Sequence, residues 1–316
     1  MRVFICEFVT GGGMRRDALP SSLAREGLLM RDALARDVSA LPGVEAVATH
    51  DDRLPAPPGA ESVAVGEGQD CWGLWAERAA MADLAWIVAP ETGGLLERLW
   101  TLCDAAGAQV LGPSLGAIRV AASKRRTAER LRRHGIRTPA AWSPDAIPAG
   151  EAGPFVSKPD DGAGCESTRL WRERPAPGVL PADHIVQRYE PGPAASLTCL
   201  GAGDSSRVLS ANRQHVAIED GAFRFRGLRV GALPVDPELS ATAREIREAV
   251  PGLDGFFGVD LVLAAEGPVV IEINPRVTTA YVGLREALGL NPATLLGLLG
   301  GASQCAGAVR PIEIAL

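Results

Sequence analysis

The chain has 316 residues, is 47% hydrophobic and carries a formal net charge of −6 at pH 7, enough apolar material to bury a core in two or three packed units. The acidic balance argues against nucleic acid as the main ligand, since the one dense basic run, "SKRRTAERLRR", fits the solvent face of a helix. No apolar stretch reaches the roughly 18 residues of a membrane span, and the opening "MRVFICEFVTGGG" has no long apolar leader segment.

Residues 2–9 place Val3 and Ile5 on one face and Phe4, Cys6 and Phe8 on the other, then meet Thr10 and three glycines. This predicts a buried strand running into a tight loop. A helix follows over 21–41, with Leu23, Gly27, Met30, Leu34, Val38 and Leu41 at helical spacing. Short apolar runs at "VEAVAT", "LAWIVAP" and "AQVLG", with helical stretches between them, predict a parallel sheet with helices on its faces, over roughly 1–112.

The basic run reads as a helix with Ala128 and Leu131 buried, Gly135 as a left-handed cap and Pro139 beyond. Short strands are then expected near 154–158, 168–172, 184–189, 195–201, 206–218 and 223–230. "DPELSATAREIREAV" predicts a helix with Asp236 as N-cap, Pro237 first, and Leu239, Ala243, Ile246 and Val250 buried. Two strands, one or two helices and a final strand complete the chain.

Six cysteines, at 6, 71, 103, 165, 199 and 305, show no C-x-x-C spacing and no accompanying histidine cluster. Neither zinc nor a disulfide framework is indicated, and a reducing cytoplasm is expected. The four histidines are scattered and suggest packing or surface roles.

Two features point to chemistry. In "FFGVDLVLAAEGPVVIEINPR", strands over about 257–263 and 269–275 flank a turn at 264–268. Pairing 263 with 269 sets Asp260 opposite Glu272 with Cβ atoms ~5 Å apart, and Asn274 on the same side. Like charges face to face destabilise a sheet unless a cation lies between them, and three oxygen ligands suit Mg2+ or Mn2+. The alternative is a solvated strand face. The second feature is "KPDDGAGCES", a turn with two glycines after a short strand, of the kind that offers backbone N–H groups to phosphate. It is not a Walker A loop, and an ordinary hairpin turn is the alternative. Lys158 opens this stretch and Lys124 opens the basic helix; they are the two lysines among 32 basic residues. Each is a compact point charge suited to phosphate. Cys165 in the loop reads as a small neutral residue rather than a nucleophile.

Taken in order, the N-terminal α/β unit, the Lys-bearing helix, the strand ending "SKP", the glycine loop, "IVQRYEPG", "GVDLVL" and "VIEINPR" resemble the ATP-grasp superfamily. "EINPR" after an Asp-bearing strand is the most specific element, and the likeness extends over nearly the whole chain. "EFVTGGG", "SSLAREG", "APETGG" and "NRQ" further resemble the branch that contains tyramine–L-glutamate ligase, a branch of methanofuran-type cofactor biosynthesis.

The resemblance implies an α/β fold, α+β in its C-terminal part. It would comprise a parallel-sheet domain at 1–112, a small lid subdomain at 113–183 and an antiparallel-sheet subdomain for metal and ATP at 184–316. Lys124 and Lys158 would contact ATP phosphates, with the loop residues Asp161, Gly162, Gly164, Glu166 and Ser167 over them. Gln187, Arg188, Tyr189 and Glu190 would form the adenine hinge. Asp260, Glu272 and Asn274 would bind two Mg2+ or Mn2+ ions, with Glu272 bridging. Arg276 would steady an acyl phosphate, acting with Lys158. Family members often carry a ribose-binding acid after the hinge. Here Pro193, Ala194, Ala195 and Ser196 stand there, leaving Glu190 as a substitute.

The implied activity joins a carboxylate, glutamate by preference, to an amine such as tyramine or a tyrosine-like compound, releasing ADP and phosphate. A carboxylating relative and a non-catalytic nucleotide sensor are the alternatives. Partners would be an amino acid and an amine, with no nucleic acid and no membrane; a homodimer stays open. Glu91, past a strand in "APETGG", either binds a substrate amino group or caps the next helix. Glu7 and Gly11–Gly13 share that status. Thr278, Thr279 and Tyr281 would border the acceptor pocket, with packing as the alternative for Tyr281.

Overall fold

Strand β1 (Arg2–Glu7) carries apolar residues on both faces, which only a central, covered strand can use. The computed structural model, which describes residues 1–162, 164, 165, 167–297 and 309–316, places it in the middle of a five-stranded parallel sheet. The other members are β2 (Glu45–Asp51), β3 (Glu61–Val65), β4 (Leu84–Val88) and β5 (Gln109–Leu111), in the order β3-β2-β1-β4-β5. Val3 and Ile5 pack with helix α1 (Ser21–Ser39), whereas Phe4 and Cys6 pack with α2 (Cys71–Ala80) and α3 (Leu95–Ala105). Two expectations change here. Leu23 is 38% exposed, because the buried stripe of α1 begins at Ala24. Strand β3 also exists although no apolar run announces it: it is an edge strand with only Val65 buried.

Helices α4 (Leu115–Ala121) and α5 (Lys124–Arg133) lead into the second sheet. Its strands are β6 (Ala141–Trp142), β7 (Phe155–Pro159), β8 (Arg169–Trp171), β9 (His184–Arg188), β10 (Ala194–Ala202), β11 (Ser205–Glu219), β12 (Ala222–Leu233), β13 (Gly255–Ala264) and β14 (Gly267–Asn274). They run β14-β13-β10-β11-β12-β8-β7-β9-β6, with β15 (Ile312–Ala315) on β12, and their paired neighbours are antiparallel. The β12–β8 junction is thin: one pair, Ala222 with Arg169, flanked by Leu170 N–H to Gly221 O (2.7 Å) and Phe223 N–H to Thr168 O (3.0 Å). Helix α6 (Pro237–Ala249) covers β10, β13 and β14 with Leu239, Ala243 and Ile246. The short α7 (Leu284–Leu288) follows the last hairpin. Among the described residues no helix is long and apolar enough to cross a membrane.

Trp86 of β4 joins the two sheets. Its ring stacks on Phe256 of β13 at 5.8 Å, and Tyr281 stands edge-on to both, at 5.7 and 5.2 Å. Such pairs add about 0.5–1.5 kcal/mol each beyond their buried area. The C-terminal ends of β1 and β4 are thereby held against the hairpin β13–β14.

Helix α6 starts as its sequence requires: Asp236 Oδ1 accepts the Leu239 N–H at 2.8 Å and Pro237 is the first helical residue. Asp236→Ala should therefore cost about 1 kcal/mol, lowering Tm by roughly 1–2 °C. Thermal unfolding of the variant checks this, and an unchanged Tm would contradict the cap.

Candidate active site

The acidic hairpin forms with a different turn from the one its sequence suggested. The turn is two residues, Ala265 and Glu266, so Ala264 pairs with Gly267 and Leu263 with Pro268. A bulge then leaves Ile271 unpaired, the register advances by one, and Asp260 faces Glu272 after all. The shorter turn and the bulge offset each other. Asp260 also pairs with Ser196 on β10, and Ser196 with Asn212 on β11, so a polar row crosses four strands on one face. Asp260 accepts from Gln214 Nε2 at 2.8 Å and from Asn274 Nδ2 at 3.1 Å. Burial, and next the Glu272 charge, push its pKa up to about 6.

Two cations meet this face. Lys124 Nζ lies 3.2 Å from Glu272 Oε1 and also donates to Gly162 O. Its helix α5 is fixed by Asp160, whose carbonyl accepts the Lys124 N–H (3.0 Å) and whose carboxylate accepts Arg125 N–H (2.8 Å) and Ser123 Oγ (2.7 Å). Lys158, next to last in β7, is 5% exposed. Burial lowers its pKa to about 8, against the opposing field of Glu272, while Lys124 adds to the lowering. Among the described residues Lys158 makes no ion pair, whereas Glu272 has Lys124 beside it.

Fit to a divalent ion can be judged from the donors. Among the described residues there is no group of three or more His, Cys, Asp or Glu able to hold a metal. The set here is two carboxylates and one amide, all oxygen-bearing, with the Asp260 pKa raised first by burial and then by the Glu272 charge. That deficit of positive charge suits a hard cation. Asn274 now points its Nδ2 at Asp260 and would have to turn its amide to offer oxygen.

Arg276 follows Asn274 and Pro275; its N–H donates to Asn274 O at 2.8 Å, a tight bend that turns the side chain toward the parallel sheet. There it grips Glu91 through Nε (2.9 Å) and Nη2 (3.1 Å). Glu91 thus pairs with Arg276 and makes no cap to the following turn. It lies beyond β4, and Glu7 ends β1, on either side of the point where the strand order reverses and open α/β sheets receive ligands. Glu7 is engaged within its own loop, accepting Thr10 N–H (2.7 Å), Thr10 Oγ1 (2.6 Å) and Val9 N–H (3.3 Å), with its pKa raised by burial. Gly27 packs closely beside it: a Cβ there would stand 2.6 Å from Glu7 Oε2 and 3.0 Å from Thr10 Cγ2, so one of these side chains would have to shift.

The remaining predicted residues divide. Thr278 folds over β13, its Cγ2 2.6 Å from where a Cβ on Gly258 would be. Thr279 donates to Glu26 of α1. Tyr281 is 1% exposed in the aromatic core, so its ring packs and does not border a pocket. In the register of β7 and β9, Lys158, Val156, Ile185 and Gln187 share one face, and Gln187 Nε2 is buried there with no hydrogen-bond partner among the described residues. Arg188 takes the opposite face and pairs with Glu151 at 3.5 Å, while Tyr189 N–H donates to Pro154 O. Glu190 is partly buried. Asp161 faces the N-terminal unit: its Oδ2 accepts Gly93 N–H at 2.8 Å and its carbonyl accepts Thr92 Oγ1 at 3.1 Å. Gly164 and Ser167 both have positive φ, +65° and +54°. Glu166 lies outside the described residues. Burial pushes the Cys165 thiol up to about 11, so it offers no thiolate near neutral pH.

Sequence reasoning missed Asp160, Gln214 and Glu26. Gln214 lies in "NRQ" and Glu26 in "SSLAREG", but nothing in their spacing marks them. A surface groove of about 690 Å³ lies along α3, beside Glu97, Arg98 and Thr101, with Ala76 of α2 on its other side.

The chain matches the family described as ATP-grasp domain over residues 121–280 and the pre ATP-grasp 3 domain over 44–118. It is 26% identical over 207 residues to tyramine–L-glutamate ligase of Methanocaldococcus jannaschii, covering 64% of this chain and 58% of that one. The chain thus spans about three fifths of the length of that curated relative. Among solved structures, an ATP-grasp superfamily protein of Archaeoglobus fulgidus is 25% identical, with a TM-score of 0.78, over 98% of this chain and 91% of that one. The L-amino acid ligase of Bacillus licheniformis superposes with a TM-score of 0.67 at 15% identity, over 99% and 74%, and shows the shared fold alone.

The raised pKa of Asp260 fixes a sign. Its neutral form is favoured in the fold, so its contribution to the metal-free protein is full below about pH 4 and is lost as pH rises through about 6, by roughly 1–3 kcal/mol. Asp260→Asn should raise the metal-free Tm at pH 7.5 by a few degrees and remove the Tm gain from added Mg2+, a gain that in the parent chain should shrink from pH 7.5 to 5.5. Equal Mg2+ gains in both proteins would place the ion elsewhere.

Proposed function

The chain belongs to the ATP-grasp family, and from that premise we propose that it is an ATP-dependent ligase joining a carboxylate to an amine through an acyl phosphate. One observation carries the proposal: Lys124, Lys158, Asp260, Glu272 and Asn274 meet on one face between β7 and the β13–β14 hairpin, with Arg276 at its edge. A carboxylate is a poor acyl donor because oxide is a bad leaving group; phosphorylation corrects this. The step brings two anions together, so screening and alignment are the catalytic needs. Lys124 and Lys158 screen the phosphates as point charges. Asp260, Glu272 and Asn274 would hold Mg2+ or Mn2+, which when bound supplies charge neutralisation at the transferring phosphoryl group. Gln187 presents a donor, unpartnered among the described residues, on the face that carries Lys158, where an adenine would lie.

Arg276 would steady the acyl phosphate, exchanging its bonds to Glu91 for it. Thr278, Thr279 and Glu91 surround the acceptor side. We propose glutamate and tyramine, or a tyrosine-like amine, as the substrate pair, supported by the likeness to tyramine–L-glutamate ligase; the pathway would be a methanofuran-type cofactor synthesis.

ADP release with Mg2+, glutamate and tyramine should exceed the rate with either substrate alone. Bicarbonate-driven ATP hydrolysis without a carboxylate substrate would replace ligation by carboxylation. Glu272→Gln should lower kcat by about 100- to 1,000-fold with circular dichroism unchanged. Lys158→Arg should fail similarly, since a planar fork does not replace a point charge; wild-type turnover in either variant would remove the assignment.

A further inference from the structure

The turn Glu91–Thr92–Gly93 is engaged on two sides. Glu91 holds Arg276 through two hydrogen bonds, and the next two residues hold Asp161 through two more. Gly93 has φ +62°, a conformation that glycine adopts without strain and that aims its N–H at the Asp161 carboxylate. Gly162, the neighbour of Asp161, gives its carbonyl to Lys124 Nζ, and Lys124 touches Glu272. Gly162 also closes on Pro159, whose Cβ would be 3.0 Å from an added Cβ. A short chain of contacts therefore runs from Arg276 through Glu91, Thr92–Gly93, Asp161 and Gly162 to Lys124.

We propose that Asp161 is a positioning residue: by binding the 92–93 turn it fixes the Gly162 carbonyl that orients Lys124, and so links the Arg276 side of the site to its phosphate side. Its carboxylate is committed to a backbone N–H of the N-terminal unit and acts on the reaction through Lys124. The turn supplies the donors, the Gly93 N–H and the Thr92 hydroxyl, and Asp161 supplies the oxygen acceptors. When Arg276 leaves Glu91 for a substrate group, the same turn is released on one side and held by Asp161 on the other. The kinetic half of the proposal rests on the ligase assignment; the contact itself does not.

Amide hydrogen exchange at Gly93 and steady-state kinetics of ADP release, both on the whole chain, test it. Asp161→Ala should speed Gly93 exchange by about tenfold or more, the effect of losing one hydrogen bond to a charged acceptor, while β1 amides keep their rates. In the same variant kcat should fall by about tenfold, with KM for ATP changed much less. Asp161→Asn, which keeps an oxygen acceptor, should recover Gly93 protection and most of kcat. The proposal is overturned if Gly93 exchange does not change, if β1 loosens equally, or if KM for ATP rises while kcat holds, which would make Asp161 a direct nucleotide ligand. Altered exchange without turnover on any substrate pair would retain the contact and reject the ligase assignment instead.

Discussion

Two carboxylates that face each other across a sheet, in a place where water is scarce, set the terms for the rest of this molecule. Asp260 and Glu272 are neighbours by β-register, and β-register cannot be relaxed by a side-chain rotation. Their repulsion is answered locally by Gln214 and Asn274, which donate to Asp260, and by Lys124, which lies on Glu272. Burial then works against both signs at once, raising the pKa of Asp260 and lowering that of Lys158. A ligand that brings both a polyanion and a hard cation relieves both distortions, whereas an anion alone or a cation alone relieves one. That double deficit separates this face from an ordinary surface ion-pair network, where exposed charges are screened and contribute about 0–1 kcal/mol.

The elements around that face are tied by short polar contacts, while apolar packing sets their general placement. Asp160 anchors the start of α5, Asp161 reaches the turn after β4, and Glu91 in that turn takes Arg276 from the far hairpin. The aromatic group of Trp86, Phe256 and Tyr281 brings the same turn and hairpin together from behind. Apolar burial contributes most of the energy but fixes geometry only to the width of a rotamer. Directional bonds at the rim can hold charges to a few tenths of an ångström, which positioning chemistry needs.

How far the sequence announced this is instructive at particular residues. The alternation in β1, the short strands β7–β12 set off by turn-forming residues, the Asp236 cap and the helical stripe of α6 are local signals, and they were legible because local geometry produced them. The Asp260–Glu272 pair was found by counting, yet the count assumed a long turn and an unbroken ladder where the molecule has a short turn and a bulge. Strand β3 went unseen because an edge strand with one buried residue has no apolar pattern to display. Tyr281 could not be assigned because Trp86 and Phe256, its packing partners, arrive from distant segments. The Asp161 contact with Gly93 spans 68 residues and depends on backbone N–H direction, which residue identity does not encode.

The division of labour between lysine and arginine follows from the same geometry. Thirty of the 32 basic residues are arginines, so arginine is what this chain supplies wherever a positive charge suffices. Arg276 fits that habit: two donors of its planar fork meet the two oxygens of Glu91. Lys124 has a different task, because its acceptors are Glu272 Oε1 and the Gly162 carbonyl, which come from a strand and a loop rather than from one planar group. A tetrahedral ammonium can turn its three donors toward such acceptors; a guanidinium would leave most of its five donors unpaired at 5% exposure, and each buried orphan costs about 1–3 kcal/mol. Lys158, equally buried, also needs a charge whose pKa responds to what lies beside it, and arginine stays protonated in any surroundings. The two lysines therefore stand at the two positions where a small, rotatable and titratable cation differs physically from a rigid one.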